Sequence, residues 1–245
     1  MCFSPEASFA GGVIISAIGI ATITKVHKPS QMLFASIPLF FGLQQFTEGT
    51  LWVTLPNPDY VAVQKFATYL FLFMADVLWP VMIPLSVLLM EEQKKKKQWL
   101  WVMLGMGIVL SSYYAFCLLF YDVTPRIMGF HIKYFNDFPK SIGLFAFFVY
   151  LFVTITPLFI SSIKRTRILG LFMFLSCAVT AIFFTQFLLS VWCFFAALIS
   201  GVIFWILRDS KRKFNFDKLD ALKNKFRLPD LSQTKMSHKQ NLYIR

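Results

Sequence analysis

At 245 residues, with 57% hydrophobic, 18% aromatic and only 15% charged residues, the chain is too apolar for a soluble domain, which averages about 45–50% apolar and about 25% charged. Its net charge of +12 falls in short runs between apolar segments and in the C-terminal tail. That pattern fits membrane orientation and contact with anionic lipid head groups, and it argues against nucleic acid as a partner.

Taken in chain order, the sequence predicts seven apolar spans. Ser4 as N-cap, Pro5 at the first helical position and Glu6 in the first turn start span one, which runs to about Thr24. Spans two to seven cover 31–54, 66–90, 100–120, 141–163, 168–188 and 191–207. Each approaches or exceeds the ~20 residues that cross about 30 Å of hydrocarbon. The fold class is therefore read as all-α, a polytopic seven-transmembrane-helix bundle over residues 1–207 followed by a basic tail, 208–245. Pro80 is expected to kink span three and free a backbone carbonyl. The segment "YDVTPRIMGFHIKYFNDFPK" (121–140) is polar, contains His131 and is expected to form a small external cap. In the tail, Phe216, Leu219, Leu222 and Phe226 recur at helical spacing among lysines, the pattern of a short helix lying on an anionic leaflet. The chain beyond Pro229 reads as disordered.

Basic residues set the expected orientation. The loops after spans one, three and five, together with the tail, hold twenty of the 24 Lys and Arg residues. The other side has Lys65, Arg126, Lys133 and Lys140. The excess places the N-terminus outside and the C-terminus in the cytoplasm. Four cysteines, Cys2, Cys117, Cys177 and Cys193, show no CxxC or zinc spacing. No basic n-region precedes the first apolar run, so no cleaved signal peptide is expected.

Polar residues inside the oily segments mark the candidate site. In "LFFGLQQFTEGTLW" (39–52), Gln44, Glu48 and Trp52 recur every four residues and Gln45 lies three before Glu48, so they share a helix face. Gly42, Gln45 and Gly49 form a neighbouring narrow strip that admits another helix. At ~1.5 Å per residue Glu48 falls near the outer interface and Asp76 near the midplane. An unpaired carboxylate at the midplane costs about 2.5–3.5 kcal/mol on insertion scales, so both acids should face the bundle. No Lys or Arg lies deep in any span to pair with them. Cys2, Glu6, Tyr113, Tyr114 and Gln186 converge on the same outer half. The ligand-binding set is thus Glu48, Gln44, Gln45, Asp76, Gln186, Trp52, Cys2 and Glu6, with no catalytic residue assigned. A loose echo relates spans one to three to spans five to seven, with Gln45 and Trp52 answering to Gln186 and Trp192. Duplicated halves of this kind place a transport site at the repeat interface.

The stretches "MCFSPEASF", "LQQFTEGTLW", "LWPVMIPLSV" and "SVWCFFAALIS" resemble an uncharacterised bacterial membrane-protein family. Its members have about seven spans, begin M-C-F-S-x-x-A-S-F and carry Q-Q-x-x-E-G-x-x-W in span two. The resemblance covers the membrane part and not the basic tail, and Asp76 lies outside its motifs. It implies architecture and a bacterial inner-membrane location, and no activity.

Three functions are weighed on these residues. The first is binding or transport of a small solute or cation at an outward-facing pocket. The second is a sensor signalling through the cytoplasmic tail. The third is a membrane-embedded hydrolase. His27 and His238 fall on the cytoplasmic side, which leaves only His131 outside, so a three-histidine zinc site is excluded by the expected topology. A Cys2–His131–Glu48 site is what remains of the hydrolase reading. The sequence assigns no cofactor, and no enzyme motif stands out.

Overall fold

The computed structural model describes residues 4–183 and 195–208. The elements are α1 (Pro5–Ile23), α2 (Met32–Thr54), α3 (Val61–Leu72), a π-helical segment (Phe73–Leu78), α4 (Trp79–Met90), α5 (Lys94–Phe120), β1 (Val123–Met128), β2 (His131–Asn136), α6 (Lys140–Ile160), α7 (Thr166–Phe183) and α8 (Ala196–Arg208). Among the described residues, four helices are long and apolar enough to cross a membrane: α1, the continuous helix formed by α3 through α4, α5 and α6. That fits a membrane-embedded protein. α2 has 23 residues but is interrupted by Gln44, Gln45 and Glu48, which keeps it out of that group. Predicted spans six and seven correspond to α7 and α8, and the stretch between them lies outside the described residues.

Local chemistry sets the helix starts. Ser4 caps α1 by accepting from the Ala7 N–H at 3.2 Å, with Pro5 and Glu6 in the first turn as the sequence implies. α1 and α2 then pack closely through glycine. A Cβ at Gly42 would overlap the Ser16 hydroxyl and lie 3.3 Å from the Gly12 carbonyl oxygen. This is the close approach expected of the strip at Gly42 and Gly49, since a Cβ at Gly49 would meet the Phe9 ring at 3.1 Å. Within a bilayer such contact matters because hydrocarbon offers helices no water-exclusion drive of its own.

The main core joins most of the helices, with Phe34 of α2, Val87 of α4, Leu100 of α5, Val153 of α6, Leu169 of α7 and Ile203 of α8 among its buried side chains. The basic loops meet at one end of the bundle. Lys28 pairs with Glu92 at 2.9 Å, the Lys96 ammonium donates to the Ser162 hydroxyl at 3.1 Å, and the Arg165 guanidinium sits 4.3 Å over the Trp205 ring.

The opposite end is covered by a β-hairpin, which adds two strands to an otherwise helical set of elements and forms within 121–140, where a polar cap is expected. β1 and β2 pair antiparallel, from Val123 opposite Asn136 to Met128 opposite His131. The two-residue connection has Gly129 at φ 62, the positive value that a type II′ hairpin requires at its first central residue. Pro125 reads as a strand breaker in sequence, yet a two-stranded ribbon is all edge and tolerates it. The hairpin does cap the helices. Ile132 packs with Leu51, Trp52 and Ala67, and Tyr134 stacks on Phe71 with centroids 5.0 Å apart.

Candidate functional site

The site is built around the π-helical segment, and two prolines explain its form. In a π turn the carbonyl five residues before a proline loses its donor; for Pro80 this is Ala75. The Tyr150 hydroxyl of α6 supplies it, donating to the Ala75 carbonyl at 2.7 Å. The Ser111 hydroxyl of α5 donates to the Val77 carbonyl, also at 2.7 Å. Pro84 in turn strips the Pro80 carbonyl of its helical donor. Gly107 of α5 abuts that oxygen so closely that a Cβ there would collide with it. The freed carbonyl expected from Pro80 is thus present at Ala75 and is answered from α6, while α5 answers the Val77 carbonyl.

Asp76 sits between the two braced carbonyls, close to the middle of the continuous Val61–Met90 helix. It is 9% exposed. Among the described residues its carboxylate has neither a hydrogen bond nor an ion pair. Tyr114 of α5 lies within electrostatic reach of it. The nearby hydroxyls of Ser111 and Tyr150 donate to backbone carbonyls.

Helix α2 brings its polar face to the same depth. The Trp79 indole N–H donates to the Gln44 Oε1 at 3.2 Å, and the Gln64 side chain donates to the Thr54 carbonyl at 2.7 Å. These two contacts fix the antiparallel register of α2 against the α3–α4 helix. By interpolation Glu48 lies level with Phe73, so it is separated from Asp76 by about one turn along the axis. The sequence reading placed Glu48 near the interface and Asp76 at the midplane; the structure brings their levels closer together. Gln44, Gln45 and Glu48 are all buried. Trp52, one turn further toward the hairpin, is 8% exposed, and its indole N–H has no acceptor among the described residues.

The other predicted site residues divide. Glu6 is exposed in the first turn of α1, beside its Ser4 cap rather than in the buried set. Cys2, Gln186 and Trp192 lie outside the described residues, as does the tail helix. His131, at the start of β2, has its pKa held below the ordinary 6.5 by burial. Among the described residues no cluster of three His, Cys, Asp or Glu side chains is close enough to hold a metal.

Sequence reading missed Tyr150 and Ser111, whose role is to mend the backbone around Asp76. Their only signal was a hydroxyl in an otherwise apolar run. It also missed Glu91. This residue follows α4, is 2% exposed, and accepts from the Ser162 N–H at 2.7 Å, the Ser162 hydroxyl at 2.6 Å, the Glu92 N–H at 3.0 Å and the Gln93 N–H at 2.9 Å. Burial works against its charge, but those four donors outweigh it and hold the carboxyl below its ordinary value of 4.5.

No curated protein and no solved structure matches the chain. A family model does match it over residues 1–217, and the chain therefore belongs to a family of unknown function, DUF6629.

Proposed function

We propose that this is a seven-span protein of the bacterial inner membrane, with the N-terminus outside and the C-terminus cytoplasmic, that binds and transports a small solute or cation. Its pocket opens on the hairpin side and is formed around Gln44, Glu48 and Asp76, with Asp76 exchanging a proton for the ligand. The observation that carries this reading is a buried carboxylate in mid-helix, on a π-helical segment braced by Ser111 and Tyr150, that has no hydrogen-bonding or ionic partner among the described residues. Intramembrane acids are costly and mark ion or proton pathways. π-helical turns recur at functional sites. The excess of basic residues on the loops that meet at the opposite end supports the orientation.

The test uses purified protein in weakly buffered detergent solution, titrated with sodium or tetramethylammonium chloride while released protons are counted. Asp76→Asn abolishes proton release and Glu48→Gln reduces it, whereas removal of residues 209–245 leaves it intact. Release that is unchanged in Asp76→Asn sinks the transport reading. Loss of release on tail removal favours a sensor that works through the tail.

A further inference from the structure

A groove of about 560 Å³ runs along the bundle between α5 and α6. Val102, Gly105, Val109 and Tyr113 line it from α5, and Phe145 and Val149 from α6. Its walls are apolar almost throughout, and Tyr113 carries the one polar side chain among them. Both helices are long and apolar enough to cross a membrane, so the groove lies at hydrocarbon depth. A water-soluble ion gains nothing from such a wall, whereas a hydrocarbon chain packs against it.

The position of the groove gives it meaning. Tyr113 stands at its end nearer the hairpin, with its ring 5.3 Å from that of Tyr114. Tyr114 lies within electrostatic range of the Asp76 carboxylate. One turn of α5 therefore carries the mouth of the groove at Tyr113, the neighbour of the acid at Tyr114, and Ser111, which ties α5 to the π-helical backbone. Tyr113 at the groove and Tyr114 beside it therefore stand within one turn of the Ser111 tie to the π-helical segment that carries Asp76.

We propose that the ligand is an amphiphilic cation, an alkylammonium in chemical class, which reaches the site sideways from the bilayer with its hydrocarbon chain in the α5–α6 groove and its head passing Tyr113 and Tyr114 to Asp76. This rests on the reading of Asp76 as the ligand-binding carboxylate and narrows it to a substrate class. Tyrosine faces suit the passage of an ammonium head, since their π-systems attract cations. The chain half of the site supplies selectivity for a tail; the acid supplies selectivity for charge.

The full-length protein in lipid nanodiscs is labelled with a dodecylammonium probe carrying a photoreactive diazirine near the chain end, and adducts are located by mass spectrometry. Adducts are expected on the groove-lining residues of α5 and α6. A Cβ at Gly105 meets no atom within 4 Å, so Gly105→Trp fills the groove without a backbone clash and abolishes labelling. Gly143→Trp, at an equally open position on α6 that does not line the groove, preserves it. Asp76→Asn reduces labelling by the ammonium probe and leaves labelling by a dodecanol analogue unchanged. Labelling by the ammonium probe that survives Gly105→Trp overturns the proposal. So does equal, Asp76-independent labelling by the two probes, which would show a chain-binding groove with no link to the acid. Failure of every alkyl probe to label the wild-type groove, as when a second copy of the chain occupies it, overturns it as well. Proton release by tetramethylammonium separates this proposal from the reading beneath it: that release requires Asp76 and is indifferent to Gly105→Trp.

Discussion

Two buried carboxylates at different depths of the bundle have opposite surroundings. Glu91, where α4 ends among the basic loops, is met by four donors and ties the α4–α5 connection to the α6–α7 connection. Asp76, in mid-helix, has hydroxyls close by on α5 and α6, and both are spent on the backbone either side of it. A carboxylate that only holds structure together collects donors, because leaving a buried charge unmet is expensive. Asp76 collects no such donors among the described residues, although its own backbone is braced on both sides. The difference separates a structural acid from a candidate functional one without reference to any relative.

The contrast is sharpest in stability. Glu91→Ala strands the Ser162 N–H and hydroxyl and two loop N–H groups, and should lower the unfolding free energy in detergent by about 2–4 kcal/mol. Thermal or denaturant unfolding measures it, and a loss near zero would mean that water satisfies those donors and that Glu91 locks nothing. Gly107→Ala, which drives a methyl group into the Pro80 carbonyl oxygen, is expected to cost about 1–3 kcal/mol. Tyr150→Phe leaves the Ala75 carbonyl unmet and should cost about 1–2 kcal/mol while shifting the Asp76-dependent proton release. If Tyr150→Phe changes stability alone, the π-helical segment is braced for folding and not for the site. Asp76→Asn sits at the bottom of the scale, with unfolding unchanged or slightly retarded but ligand exchange lost. A large destabilisation by Asp76→Asn would erase the distinction from Glu91.

Acidity offers a second separation, because Glu91 and His131 lie outside the membrane-crossing helices. The Glu91 pKa is depressed in the folded state, so its contribution is fully present above its ordinary value of 4.5 and is lost as pH falls below that value toward the folded pKa. His131 is held below 6.5 by burial. In the acid range below that value the unfolded chain binds more protons than the folded one at this site, so stability falls on acidification. The two groups therefore act in successive windows. His131→Gln should flatten the decline that starts near pH 6.5 and leave the decline below pH 4.5; unfolding curves collected across that range read both.

The long apolar helices were legible because length and hydropathy dictate them, and four of the described helices are long and apolar enough to cross a membrane. The start of α1 was legible because a Ser-Pro-Glu run satisfies the first N–H groups locally. Gln44, Gln45, Glu48 and Asp76 stood out because polar groups in an apolar run demand a partner wherever the helix sits. The hairpin was not legible as strands, since they carry a proline and polar residues, and their packing onto the helix ends through Val123, Ile132 and Tyr134 is tertiary. Glu91 was equally hidden: a glutamate beside Glu92 and a lysine run reads as a solvated loop until Ser162, distant in sequence, folds against it.

By itself, then, the sequence determined that the chain forms long apolar helices that fit a membrane, where most of them run, and which acids stand out among them. Those are matters of solvation and of contacts within a few residues. The tertiary structure decided that Asp76 lies on a π-helical turn, that its neighbours' hydroxyls mend backbone rather than meet its charge, and that Glu48 lies within about a turn of its level. It also set an apolar groove against Tyr113. Each of these depends on which helix packs beside which and in what register, and that follows from close packing among residues far apart in the chain.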